Sequence, residues 1–253
     1  MTRKYSFLIA FAFAVGIAGT ANATIATVYD GIAAGRTSFD NTVTGAGGTV
    51  GVDTWAGLTG GNTSIDRGAY TITNNDGGTL GVTTYGSMSG QVIGIDPAGG
   101  GSNPRTAPSS YFNSGMTLTF DSAVNAVGFE VGDWATCCHS PVTELFISFD
   151  GGTPIKVASA TTSSQGRFPS QTNPAASVYE IFVAAFDDSG SFTAVSFWGN
   201  GIGEYLVAGG QVRYALLNQG SLPPSGAVPL PAEGWVLLTG VGALLALRRR
   251  KVA

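Results

Sequence analysis

The stretch Asp133-Trp134-Ala135-Thr136-Cys137-Cys138-His139-Ser140-Pro141 is the most chemically unusual run inside the chain. Adjacent thiols beside an imidazole are donors of the kind that hold a soft metal such as Cu(I) or Zn(II). A closed zinc site takes four ligands, whereas the whole chain has two Cys and one His. In an exported protein two cysteines point to one disulfide. Here it would join neighbours, whose Cα atoms stand about 3.8 Å apart across a trans peptide while usual bridges span about 4.4 Å or more. Three states of Cys137 and Cys138 therefore stand open: a strained or redox-active vicinal bridge, free or intermolecular thiols, and a soft-metal site.

Other reactive constellations are incomplete. Serine hydrolysis would have to pass through His139, the single histidine, and Gly86-Ser87-Met88-Ser89-Gly90 puts Met88 where a nucleophile elbow needs serine. A glycosidase needs two carboxylates about 5–10 Å apart, but Glu130 and Asp133 would point to opposite faces of a strand. Gly199-Asn-Gly-Ile-Gly203 is followed by strand-like residues rather than a helix, which makes it a turn and not a phosphate loop. No catalytic residue and no cofactor are expected. Calcium is the alternative, since Asp150, Asp187 and Asp188, or Asp76 beside Asn74 and Asn75, offer hard oxygen ligands. Asp and Asn at such places serve turn geometry first. The aromatics Trp55, Tyr70, Tyr85, Tyr111, Trp134, Trp198 and Tyr205 read mainly as core, with a sugar-stacking surface as the alternative use.

These residues sit in a chain of 253 residues with 38 Gly, 11 Pro and 11% charged residues. Between Thr24 and Asn218 no apolar stretch of helical period stands out. Short alternating or β-branched runs recur instead, bounded by Gly, Asn, Asp or Pro. They predict strands over 24–29, 69–73, 80–85, 91–95, 116–120, 126–131, 143–149, 155–158, 178–184, 193–198, 204–207 and 212–216. Turn chemistry separates them at 74–78, 150–152, 187–190, 199–201 and Gly209-Gly210. The expected fold is all-β, a jelly-roll-like two-sheet sandwich.

The two ends read as membrane signals. Arg3 and Lys4 precede a 12-residue apolar core over 7–18, and Ala21-Asn22-Ala23 supplies the small–x–small cleavage site, so 1–23 is a secretory signal peptide. After the body over 24–218, a Pro/Gly/Ser linker over 219–227 leads to Val228-Pro229-Leu230-Pro231-Ala232. An apolar run to Leu247 follows, then Arg248-Arg249-Arg250-Lys251. The 20 residues from Val228 to Leu247 suffice for one transmembrane helix, and the basic cluster stays cytoplasmic. The net charge of −4 thus hides a body over 24–227 with six bases against fifteen acids, a balance of −9. Such a body does not suit nucleic acid, which needs a clustered positive surface.

The tail over 228–253 resembles the PEP-CTERM family of exported bacterial proteins, in its Val-Pro-Leu-Pro-Ala variant. The resemblance implies a sorting signal read by an exosortase, a membrane-embedded transpeptidase-like protease. It also implies a precursor tethered in the inner membrane and a destination in the cell envelope, extracellular matrix or exopolysaccharide. The series from Met116 to Ala215 resembles, more weakly, the jelly-roll bodies of that family, which often carry paired aspartates before the last strand. Here that place reads Val207-Ala208-Gly209-Gly210-Gln211. The first reading is a non-enzymatic envelope or matrix protein. A carbohydrate-binding module acting in exopolysaccharide or biofilm is the alternative, and a secreted enzyme of unknown chemistry the third.

Overall fold

The computed structural model describes residues 26–95, 108–137, 139, 142–187, 189–200 and 205–222. The expected signal peptide with Ala21 and Ala23, and the tail with Val228–Ala232 and Arg248–Lys251, lie outside these residues. Among the described residues no helix is long and apolar enough to cross a membrane.

Strands form where the alternation predicts them. In chain order they are β1 (Ala26–Asp30), β2 (Gly51–Thr54), β3 (Ser64–Asp66), β4 (Tyr70–Asn74), β5 (Val82–Thr84), β6 (Gln91–Ile95), β7 (Met116–Val124) and β8 (Ala126–Gly132). There follow β9 (Thr143–Phe149), β10 (Ile155–Ala160), β11 (Phe168–Pro169), β12 (Ser177–Val178), β13 (Glu180–Phe186), β14 (Phe192–Gly199) and β15 (Leu206–Ala215). A seven-stranded sheet has the order β1-β13-β8-β15-β6-β5, with β2 paired to the far half of β15. A six-stranded sheet has the order β10-β9-β14-β7-β4-β3, and β11 and β12 form a small separate hairpin. From β7 to β9 and again from β13 to β15 each step crosses to the other sheet, so spatial neighbours are distant in sequence. The result is the all-β, jelly-roll-like sandwich.

The inner faces close on one apolar core. Tyr70 and Ile72 of β4, Leu118 and Phe120 of β7, Phe129 and Val131 of β8, Ile147 of β9 and Phe197 of β14 meet there with Trp55 and Trp134. Phe129 and Phe197 pack edge-on across the sandwich with ring centroids 5.0 Å apart. Each such side chain contributes about 1.5–3 kcal/mol through burial. The period-two rule leaves the alternate residues on the outer faces.

Short strands β2, β3 and β11 form where none was predicted, and two larger features also depart from the sequence reading. Residues Ile32–Gly45 form a helix, α1, in a region where none was expected. Its propensity is poor, with Gly35 and several threonines inside, and Thr37, Thr42 and Thr44 bond back to carbonyls four residues earlier. Packing overrides propensity: Ile32, Gly35, Phe39 and Val43 form one buried stripe, and Phe39 stacks on Phe186 at 5.1 Å and meets Phe182 edge-on. A Cβ at Gly35 would stand 2.5 Å from Phe182 Cβ, so glycine sets how closely α1 lies on the sheet. The second departure is β15, expected as two strands parted by a turn at Gly209-Gly210. It is one strand, with a bulge between Gly209 and Arg213. Leu217 and Leu222 extend the cluster under α1, so the body reaches into the stretch expected as linker.

Candidate functional site

Two glutamates stand in otherwise apolar strands, Glu130 in β8 and Glu180 in β13. The pairings Glu130–Phe182 and Gly132–Glu180 put both on the outer face of the seven-stranded sheet, beyond the end of α1. Their exposures are 0% and 1%. Buried carboxylates are tolerated only when hydrogen-bonded or paired, and one short loop satisfies both. Between β5 and β6, Ser87 donates its N–H to Glu180 Oε1 at 2.7 Å and its hydroxyl to Oε2. Two residues on, Ser89 donates its N–H to Glu130 Oε2 at 2.7 Å and its hydroxyl to Oε1 at 2.6 Å. The Gly-Ser-Met-Ser-Gly run that fails as a nucleophile elbow is thus a double carboxylate clamp. Its first glycine, Gly86, has φ +46°, and a Cβ there would overlap the Glu180 carboxylate.

The bulge in β15 completes the space. A Cβ on Gly210 would run into the Glu130 carboxylate, and one on Gly209 into the Trp55 ring on the inner side. From α1, Arg36 reaches Glu130 Oε1 at 3.4 Å, Ser89 Oγ at 2.8 Å and Gln171 Oε1 at 2.8 Å. Gln171, on the connection from β11 to β12, donates Nε2 to the Ser87 carbonyl. Beside them Arg213 donates to Asp40 Oδ1 at 2.8 Å and to Gln211, whose Nε2 reaches Thr54 Oγ1 at 2.7 Å. Burial raises the proton affinity of Glu130 and the charge of Glu180 adds to it, while Ser89 and Arg36 oppose the rise.

A second polar chain crosses to the inner side. Trp55 Nε1 donates to Tyr70 Oη at 2.7 Å, Tyr70 donates to Asp53 Oδ2 at 2.6 Å, and Arg67 holds Asp53 by two bonds at 2.6 and 2.9 Å. Burial alone would raise the Asp53 carboxyl, but the Arg67 and Tyr70 hydrogen bonds and the Arg67 charge outweigh it and hold it below its usual value. Burial and the Asp53 bond push the Tyr70 phenol up.

The residues singled out from sequence are placed as follows. Cys137 is in a disulfide, which replaces the free-thiol and metal readings; the chain's one other cysteine, Cys138, lies outside the described residues. His139 meets the carbonyl of Ala135 at 3.1 Å. Asp187 accepts Ser189 N–H and Asp76 accepts Gly78 N–H in local turn bonds, whereas Asp150 accepts Thr193 and Ala194 N–H and so ties its turn to the start of β14. Among the described residues no three His, Cys, Asp or Glu gather as metal ligands. Trp55, Tyr70, Tyr111, Trp134 and Trp198 are buried, and of the aromatics proposed for sugar stacking Tyr205 is the most open at 44%. Glu180, Arg36, Ser87, Ser89 and Gln171 escaped the sequence reading. The available signal was an acid within an apolar strand, which demands buried partners.

No protein-family model matches the chain, and no curated protein matches it. Two solved structures are similar, both mutants of CBM29-2, a family 29 carbohydrate-binding module. One has 11% identity and a TM-score of 0.33 over 73% of this chain and 99% of that one. The other, complexed with cellulohexaose, has 9% identity and a TM-score of 0.33 over 69% and 96%. At that score the likeness carries no argument about what this chain does.

Proposed function

We propose that the protein is a non-enzymatic component of the cell envelope or extracellular matrix, an exported β-sandwich sorted by its C-terminal signal. Arg248–Lys251 hold the precursor in the inner membrane until an exosortase-type protease acts at Val228–Ala232. The observation that supports a non-catalytic body is the sealing of Glu130 and Glu180. Every carboxylate oxygen accepts a protein donor beneath the 85–90 loop, so neither acid can reach an external substrate, as acid–base catalysis on one requires. The intact mass of the mature protein tests the sorting. A chain beginning at Thr24 and ending at or near the 228–232 motif is expected; one still ending at Ala253 in an exosortase-bearing host would sink the proposal.

A second reading, contact with exopolysaccharide, is favoured by the outer face of the six-stranded sheet. Ser64, Thr73, Thr117, Ser196 and Ser148 form one row across five strands, and Thr71 and Thr119 pair in the next. Ser148 and Ser196 are buried and Thr117 bonds to Asn75 and Ser196. The open part of the face is therefore Ser64, Thr71, Thr73 and Thr119, which offers hydroxyls at the strand spacing of about 4.8 Å to a polyhydroxylated chain. Saturable glycan retention that is lost in Thr71→Val/Thr119→Val would support it. Retention unchanged by that double substitution would reject this face.

A further inference from the structure

A hydroxyl, a carboxylate, a carboxamide and a guanidinium converge beneath the 85–90 loop. Ser89 Oγ donates to Glu130 Oε1 at 2.6 Å, accepts from Arg36 Nη1 at 2.8 Å and stands 3.3 Å from Gln171 Oε1. The carboxamide cannot be turned round. Its oxygen accepts from Arg36 Nη2 at 2.8 Å, while its nitrogen donates to the Ser87 carbonyl. The carboxamide carbon lies one C=O bond, about 1.2 Å, from that oxygen, so it stands between about 2.1 and 4.5 Å from Ser89 Oγ.

Each group stands where acyl transfer needs it. A base that no solvent touches holds the hydroxyl proton, and a positive charge bridges the nucleophile and the carbonyl oxygen that would take up negative charge. Held in place by the fold, nucleophile and carbonyl need no encounter step. We propose that Ser89 and Gln171 join in an intramolecular ester that staples the β5–β6 loop to the β11–β12 connection, with Glu130 as general base and Arg36 holding the oxyanion. Ser89 Oγ–H passes its proton to Glu130 as the Oγ–Cδ bond forms and the Cδ–Oε1 electron pair moves onto Oε1 beside Arg36. On collapse the Cδ–Nε2 bond breaks, Glu130 returns the proton to the departing nitrogen, and ammonia leaves. No oxidant or cofactor enters, and loss of ammonia to solvent draws the step forward. The sister clamp is the built-in control: Ser87 Oγ meets Glu180 and the Ser170 hydroxyl at 3.1 Å, and the carboxamide beside it, that of Gln171, turns its nitrogen to the Ser87 carbonyl.

The inference is independent of the sorting and matrix reading, and the full chain purified from any expressing host tests it. After reduction of the disulfide, the expected intact mass is one ammonia below that of the processed sequence. After thiol reduction and tryptic digestion, peptides 68–105 and 168–213 should run as one species that hydroxylamine separates, leaving a hydroxamate at Gln171. Gln171→Glu and Glu130→Gln should each abolish the linked species, and Ser87→Ala should retain it. Separate peptides from a wild-type chain with native circular dichroism overturn the proposal, as does a linkage that survives Gln171→Glu.

Discussion

Ser87→Ala tests whether the 85–90 loop is held by the buried acids. The hydroxyl donates to Glu180 Oε2, and Glu180 is 1% exposed, so water cannot replace it without opening the loop. A hydrogen bond to a charged group contributes about 1.5–3 kcal/mol. The buried setting argues for the upper part of that range, about 2–3 kcal/mol. For a body near 200 residues, that corresponds to a fall of roughly 4–12 °C in Tm. The decisive measurement is a double-mutant cycle by urea titration followed by circular dichroism. In a Glu180→Ala background the hydroxyl has lost its acceptor, and removing it should cost under about 0.5 kcal/mol, giving a coupling of about 2 kcal/mol. An equal cost of Ser87→Ala in both backgrounds would refute the clamp, since the serine would then be acting through something other than the glutamate.

Four further outcomes follow from the same geometry. Gly210→Ala, at φ +62° and facing the Glu130 carboxylate, should cost about 2–4 kcal/mol, whereas Gly47→Ala, at φ +77° in open space, should cost about 1–2 kcal/mol; similar losses in urea titration would count against the overlap. Asp53 has a lowered carboxyl in the folded chain, so its stabilisation is full above the unfolded value of about 3.9 and is lost as pH falls through the folded value. Asp53→Asn should flatten that acid limb. Glu130, faced by Arg36 from α1 and Glu180 from β13, has a raised carboxyl, so its effect has the opposite sign: stability falls as pH rises from about 4.3 to its folded value. Glu130→Gln should remove that fall, and an unchanged pH–stability curve would contradict the assignment. A Ser89–Gln171 staple spans 82 positions and by the chain-entropy argument for cross-links stabilises by about 4.5 kcal/mol; Gln171→Glu should therefore lower Tm by roughly 9–18 °C.

The sandwich was legible because its strands obey local rules. Gln91–Ile95 and Thr143–Phe149 form with the bounds their alternation predicts. Local rules fail where a distant partner decides the outcome. Gly209-Gly210 has the composition of a turn, yet β6 and β8 flank it on both sides and turn it into a bulge. The helix over Ile32–Gly45 has the composition of a loop and owes its form to Phe182 and Phe186, about 150 residues away in sequence. Glu130 and Glu180 meet only because β8 pairs with β13. No spacing in the chain announces that Ser87 and Ser89, forty or more positions earlier, will close over them.

Two acids buried side by side are a poor way to gain stability, since apolar residues of the same volume would hold the sheet as well or better. What they supply is register. Loop 85–90 lays Tyr85 and Met88 over Gly132 but that apolar contact does not set its register, and the β11–β12 hairpin pairs only with itself. Glutamate oxygens presented by β8 and β13 fix the loop residue by residue, and Gln171 and Ser170 then fix the hairpin on the loop. The bulge at Gly209-Gly210 ties this outer assembly to the core, because the same two missing Cβ atoms make room for Trp55 within and Glu130 without. A substitution at the bulge therefore loosens both layers together, whereas Ser87→Ala loosens the outer one alone.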